Sequence, residues 1–152
     1  MKTSHQGAGL LVGLASALAL TVVGAAPASA AAPAPGSASA STWTLEAEGQ
    51  RICVDPEHGW PWTYAFSPVS GTWSTPIQTG VRNLPPGSSS AGGSTIPPGT
   101  NERRPDGALV INGFLDLRIA PAPAGEYVAE VWATDGTETQ TDPLLIVFRD
   151  DC

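Results

Sequence analysis

After Ala40, apolar residues alternate with polar ones over short runs, the period of half-buried strands and not of helices. Trp43, Leu45 and Ala47 fall on one side, with Thr42, Thr44, Glu46 and Glu48 on the other. Gly49 shifts the phase, as a bulge does, and Ile52 and Val54 carry the apolar side onward. The stretch from Gly59 to Phe66 then predicts a strand with Trp60, Trp62, Tyr64 and Phe66 on one face. A further strand reads Trp73, Thr75, Ile77, Thr79, Val81. Pro76 interrupts it and predicts a sheet edge, because proline donates no ladder hydrogen bond.

From Arg82 to Gly107 the alternation stops, which predicts a long loop. It contains Pro85-Pro86-Gly87-Ser88 and a later echo, Pro97-Pro98-Gly99-Thr100. Each predicts a type II turn, with proline fixing φ and glycine supplying positive φ. A loop of this length in a small domain is either functional or slack. Strand character returns at Leu109, Ile111, Leu115, Leu117 and Ile119, with Gly113 as a bulge or break and Pro121 and Pro123 as the stop. Gly125–Trp132 alternates cleanly, Asp135-Gly136 signals a two-residue hairpin turn, and Thr137–Phe148 returns, with an irregularity at Pro143. Counting outward from that turn sets Tyr127 opposite Leu144, on a buried face, and Trp132 opposite Thr139, on an outer one.

The N-terminal segment differs. Lys2 precedes an uncharged run, Ala8–Ala26, and then Pro27-Ala28-Ser29-Ala30. These are the regions of a secretory signal, predicting a signal peptide over residues 1–30 with cleavage after Ala30. Residues 31–40, Ala/Pro/Ser-rich with almost nothing to bury, are expected to be a disordered leader. A single domain over residues 41–152 follows, its long loop at 82–107. In an exported chain the two cysteines, Cys53 and Cys152, are expected to form a disulfide.

The net charge of −7 falls by one more unit when Lys2, the sole lysine, is removed. This excludes nucleic acid and anionic membranes as main partners, since both need clustered positive charge. No cofactor motif is present. After signal loss His58 is the sole histidine, and no G-x-S-x-G accompanies it, so a solvated loop histidine is favoured over a catalytic base. Asp55, Glu57 and His58 supply half a metal site without the other half, and no metal is expected. The pair Glu46/Glu48 reads as a solvated strand face. The aromatic residues carry more information. The chain has five tryptophans, and exposed aromatic platforms bind sugar rings or partner proteins. Trp60, Trp62, Tyr64 and Trp132 are therefore the candidate ligand-binding residues. Against that reading, strands of a small sandwich turn large residues inward. Tyr64 and Phe66 are expected in the core, and Trp60 is open to either assignment.

Short strands, a late D-G hairpin and no helical period describe an all-β antiparallel sandwich of about seven strands with one disulfide. Ala122-Pro123-Ala124-Gly125-Glu126-Tyr127-Val128-Ala129 resembles the approach to the penultimate strand of immunoglobulin-like and fibronectin-like domains. The resemblance implies that the Tyr127 hydroxyl closes a corner. Ala129 stands where antibody domains carry their second cysteine, so their inter-sheet bridge is missing here. The mature chain, including Thr42-Trp43-Thr44-Leu45, Gln50-Arg51-Ile52-Cys53-Val54, Gly71-Thr72-Trp73-Ser74-Thr75 and Trp132-Ala133-Thr134-Asp135-Gly136-Thr137, also resembles a group of small secreted actinobacterial proteins with no assigned activity. That resemblance implies secretion and a shared fold. A weaker one, to streptomycete α-amylase inhibitors with their Trp-Arg-Tyr triplet, fails at Trp62-Thr63-Tyr64, which lacks the arginine. The expectation is a secreted, monomeric, non-catalytic binding or accessory protein for an extracellular protein or carbohydrate. The alternative is an inhibitor of an extracellular hydrolase, with Arg103-Arg104 in the long loop as its contact.

Overall fold

The computed structural model describes residues 41–152; the expected signal (1–30) and leader (31–40) lie outside the described residues. Eleven strands follow in order: β1 (Trp43–Leu45), β2 (Gln50–Val54), β3 (Trp60–Phe66), β4 (Val69–Trp73), β5 (Ile77–Arg82), β6 (Ser89–Ser90), β7 (Thr95–Ile96), β8 (Gly99–Asn101), β9 (Phe114–Ile119), β10 (Gly125–Thr134) and β11 (Thr139–Phe148). No helix occurs among the described residues. The excess over about seven strands comes from the division of the expected Trp73–Val81 strand into β4 and β5 and from β6, β7 and β8, which lie in the segment expected to be a loop and are at most three residues long. Each stitches that segment to a different sheet: β6 to β9, β7 to β5, and β8 to β4.

Three sheets, β1-β4-β8, β2-β11-β10-β5-β7 and β3-β9-β6, form a sandwich-like arrangement. Their inward faces follow the period-two reading. Leu115, Leu117 and Ile119 of β9, Ala129, Val131 and Ala133 of β10, and Leu144, Ile146 and Phe148 of β11 are all buried, as are Trp43 and Leu45 of β1. The polar groups inside are paired: Ser67 Oγ donates to Thr79 Oγ1 (3.0 Å), which in turn donates to the Ser94 carbonyl (3.2 Å). Gln50 ties β2 to β3, donating to the Phe66 carbonyl (2.8 Å) and accepting from the Phe66 amide (2.7 Å).

Several expectations change. All ladders are antiparallel except one: β2 runs parallel to β11, Ile52 opposite Ile146 and Cys53 opposite Val147. Parallel partners need a long connection, and here nearly the whole domain supplies it. Trp73 and Ile77 belong to different sheets: β4 ends at Trp73, and Pro76 stands immediately before β5, which is an interior strand between β10 and β7. Pro143 sits in β11 one residue before its ladder with β2 starts at Leu144, where the missing N–H leaves no gap. The β10–β11 hairpin is closed by four residues and not two, so Thr134 faces Thr139, Tyr127 faces Ile146 and Trp132 faces Thr141. Asp135 stabilises the longer turn, its Oδ1 accepting from the Thr137 and Glu138 amides (both 2.8 Å). The shift is even in number, so each residue keeps its expected face. Pro85–Ser88 forms the expected turn, with Gly87 at φ 78° and the Ser88 amide donating to Pro85 O (3.0 Å). Its echo does not, because Gly99 begins β8.

Cys53 and Cys152 are disulfide-bonded, their Cα atoms 5.4 Å apart and 99 positions apart in sequence. The parallel pairing carries β2 and β11 to the same end, where the Arg149 amide donates to Val54 O (3.1 Å) and Cys152 curls back to Cys53.

Candidate functional site

The outer face of the β3-β9-β6 sheet carries most of the exposed aromatic surface. The alternation of β9 turns Leu115, Leu117 and Ile119 inward and therefore Phe114, Asp116 and Arg118 outward. On β3, Tyr64 stands opposite Asp116 and Phe66 opposite Phe114. Trp62 is 76% exposed, Tyr64 53% and Phe114 55%. Tyr64 is thus not in the core. Phe66 is only half-buried, because its partner across the ladder is the outward-facing Phe114 and not an inward leucine. The rings of Tyr64, Phe66 and Phe114 meet edge to face, with centroids 5.2–6.4 Å apart and planes inclined by 66–68°.

Trp60 and Trp62 do not share a face. The ladder pairs Trp60 with Ile119 and Thr63 with Leu117, so Pro61 and Trp62 together stand against Arg118 alone. This is a bulge, and it sits where Pro61 has no N–H to give. The extra residue returns Trp60 to the phase of buried Ile119. There, 44% exposed, it lines a hollow of about 240 Å³ with Cys53, Val54 and Cys152. Trp132 belongs to the five-stranded sheet, where it lies over Gly80, and is half-buried. Of the four sequence candidates, then, Trp62 and Tyr64 come together, while Trp60 and Trp132 lie elsewhere.

Beside Trp62 is a hollow of about 270 Å³, lined also by Pro61, Ser89, Ala91, Asp116, Leu117 and Arg118. A second, of about 330 Å³, adjoins it through Pro61, Ser89 and Arg118 and reaches His58. Ser89 arrives on β6, directly opposite Arg118. Among the described residues, neither Asp116 nor Arg118 makes an ion pair or a side-chain hydrogen bond with another side chain. Phe114, Asp116, Arg118 and Ser89 were missed as site residues. The first three were recoverable from the same alternation that marks Leu115, Leu117 and Ile119 as core; Ser89 was not, since a two-residue strand shows no period.

The Asp55–His58 segment closes on itself. Asp55 Oδ1 accepts from the Glu57 amide (2.9 Å) and the His58 amide (3.0 Å) and lies 2.9 Å from His58 Nδ1. The His58 amide, then its ring, hold the Asp55 carboxyl below the ordinary carboxylate range. No serine is hydrogen-bonded to His58 among the described residues: Ser88 Oγ accepts from the Ala120 amide, and Ser90 Oγ donates to the Gly92 and Asp116 carbonyls. Arg103 pairs with Glu46 (2.5 Å), and Arg104 lies in a turn closed by its amide on Ala108 O and by the Gly107 amide on its own carbonyl (both 2.8 Å).

Fold and site together define a disulfide-stapled all-β sandwich with an open aromatic and polar sheet face. The chain belongs to a family of unknown function (DUF5980), whose model matches residues 44–150. No curated protein matches it.

Proposed function

We propose that this is a secreted, non-catalytic, monomeric binding protein whose ligand, an extracellular protein or carbohydrate, meets the outer face of the β3-β9-β6 sheet. The supporting observation is the exposure of Trp62, Tyr64 and Phe114 beside Asp116 and Arg118. Burying a large apolar side chain is worth about 1.5–3 kcal/mol. Three such rings kept in water on one small sheet are a cost that a ligand offsets. The disulfide accords with an oxidising compartment, as does the signal-like N-terminus. The Tyr127 hydroxyl donates to Pro123 O (3.2 Å), which supports kinship with immunoglobulin-like sandwiches. The resemblance to small secreted actinobacterial proteins points the same way. Inhibition of a hydrolase through Arg104 is less well supported, because that residue sits in a closed turn and not in the extended segment a protease accepts.

Oxidative footprinting of the secreted protein in its own culture medium tests the reading. Trp62 and Tyr64 should be protected relative to the purified protein, with Trp60, on the far side of the bulge, as internal reference. Equal labelling in both samples rejects the face as a binding site. The intact mass of the secreted chain should start at Ala31; retention of Lys2 would reject cleavage after Ala30.

A further inference from the structure

Resting on that binding face, we infer that its ligand is a single soluble chain of a neutral polysaccharide, one sugar of which stacks on Trp62 while its hydroxyls engage Asp116, Arg118 and Ser89. A pyranose ring presents an apolar C–H face edged by hydroxyls that both donate and accept. It therefore needs a flat aromatic ring with a donor and an acceptor beside it. The hollow of about 270 Å³ supplies these together: the Trp62 indole as floor, the Arg118 guanidinium as donor, the Asp116 carboxylate as acceptor, and the Ser89 hydroxyl as either. Among the described residues Asp116 and Arg118 have no side-chain partner of their own, so a ligand that covers them must supply both a donor and an acceptor. Sugar hydroxyls satisfy both.

The geometry narrows the class. Tyr64, Phe66 and Phe114 are inclined to one another by 66–68°, so these three rings form no coplanar row to lie on a crystalline polysaccharide surface. Trp60, which would have extended such a row, is turned away by the bulge. The adjoining hollow, sharing Pro61, Ser89 and Arg118, continues the site toward His58 and gives a second sugar a place along the chain. The net charge of −7 disfavours uronate or phosphate polymers.

Affinity electrophoresis of the mature protein through gels containing soluble xylan, mixed-linkage β-glucan, galactomannan or amylopectin, with polygalacturonate as the anionic comparison, tests this. At least one neutral polymer should retard the protein. Trp62→Ala should weaken that retardation about tenfold or more, as loss of a central aromatic anchor does, and Arg118→Ala should also weaken it. Trp60→Ala should leave it unchanged, and thermal melts confirm that each variant folds. Retardation by none of the four, or by polygalacturonate alone, overturns the inference, as does full retardation of folded Trp62→Ala. So does a dimer in light scattering that Trp62→Ala converts to monomer, since the face then serves a second copy. If no polymer retards the protein yet Trp62 is protected in the medium, the sugar fails while the binding face stands. Without protection, both fail.

Discussion

The indole of Trp132 lies across Gly80, its partner on the neighbouring strand, so closely that a Cβ at Gly80 would stand 2.6 Å from Trp132 Cζ2. The absence of a side chain on β5 thus lets a large ring on β10 lie flat against the sheet. This accounts for a half-buried tryptophan on a face expected to be open.

Gly80→Ala should therefore destabilise the fold by about 1–3 kcal/mol through overpacking. Adding it to Trp132→Ala should cost little further, since the obstructing ring is gone. Urea melts of the two single variants and the double variant check this. Simple additivity would show that the two residues do not interact.

Reduction of Cys53–Cys152 releases a loop closed across 99 positions. On the chain-entropy model such a loop is worth about 4–5 kcal/mol, which should lower Tm by on the order of 20 °C in a domain of this size. Cys53→Ser should match the reduced protein. The β2–β11 ladder should be the first region to lose amide protection, because the bridge pins the end where that ladder stops. Exchange that is lost first at β3–β9 would contradict this.

The sequence discloses what period two can disclose. The inward residues of β9, β10 and β11, the turn at Pro85–Ser88 and the cysteine pairing are all readable from it. Alternation does not say which strand lies beside which, so the parallel β2–β11 ladder was invisible, as were β6, β7 and β8, too short to show a period. The bulge left a signal, Pro61 between two tryptophans, but continuing the alternation through it placed Trp60 with Trp62. Alternation also sets Tyr64 and Phe66 on one face of β3 without saying which face is inner; ring size points those two inward, whereas Ala65 is the buried residue.

That inversion makes opposite forecasts for stability. Trp62→Ala should change folding free energy by no more than about 0.5 kcal/mol, as exposed positions do. Leu115→Ala, fully buried beneath the same sheet, should cost about 2–5 kcal/mol. Phe66→Ala should fall between them, because its ring is half-buried and loses two edge-to-face contacts. Denaturant midpoints give the ranking. A Trp62→Ala loss equal to that of Leu115→Ala would mean the ring is structural and remove the case for a ligand there.

The last forecast concerns acid. Asp135 caps the β10–β11 turn through the Glu138 and Thr137 amides, and its Oδ2 accepts from the Trp43 indole N–H (3.1 Å), tying β1 to the hairpin. These three donors, the Glu138 amide foremost, hold its carboxyl below the ordinary carboxylate range. The unfolded chain therefore binds this proton more readily than the folded one. Its stabilisation is complete above the unfolded value and disappears as pH falls through the lowered folded value. Asp135→Asn should thus be less stable than the parent at about pH 7, and the gap should close toward about pH 2. Asp55, lowered in the same direction, leaves the single variant with some acid sensitivity; Asp55→Asn/Asp135→Asn should flatten it further. Urea midpoints measured across that range are the check, and a gap that stays constant down to the lowest pH would show that the carboxylate charge at Asp135 contributes nothing to holding the turn.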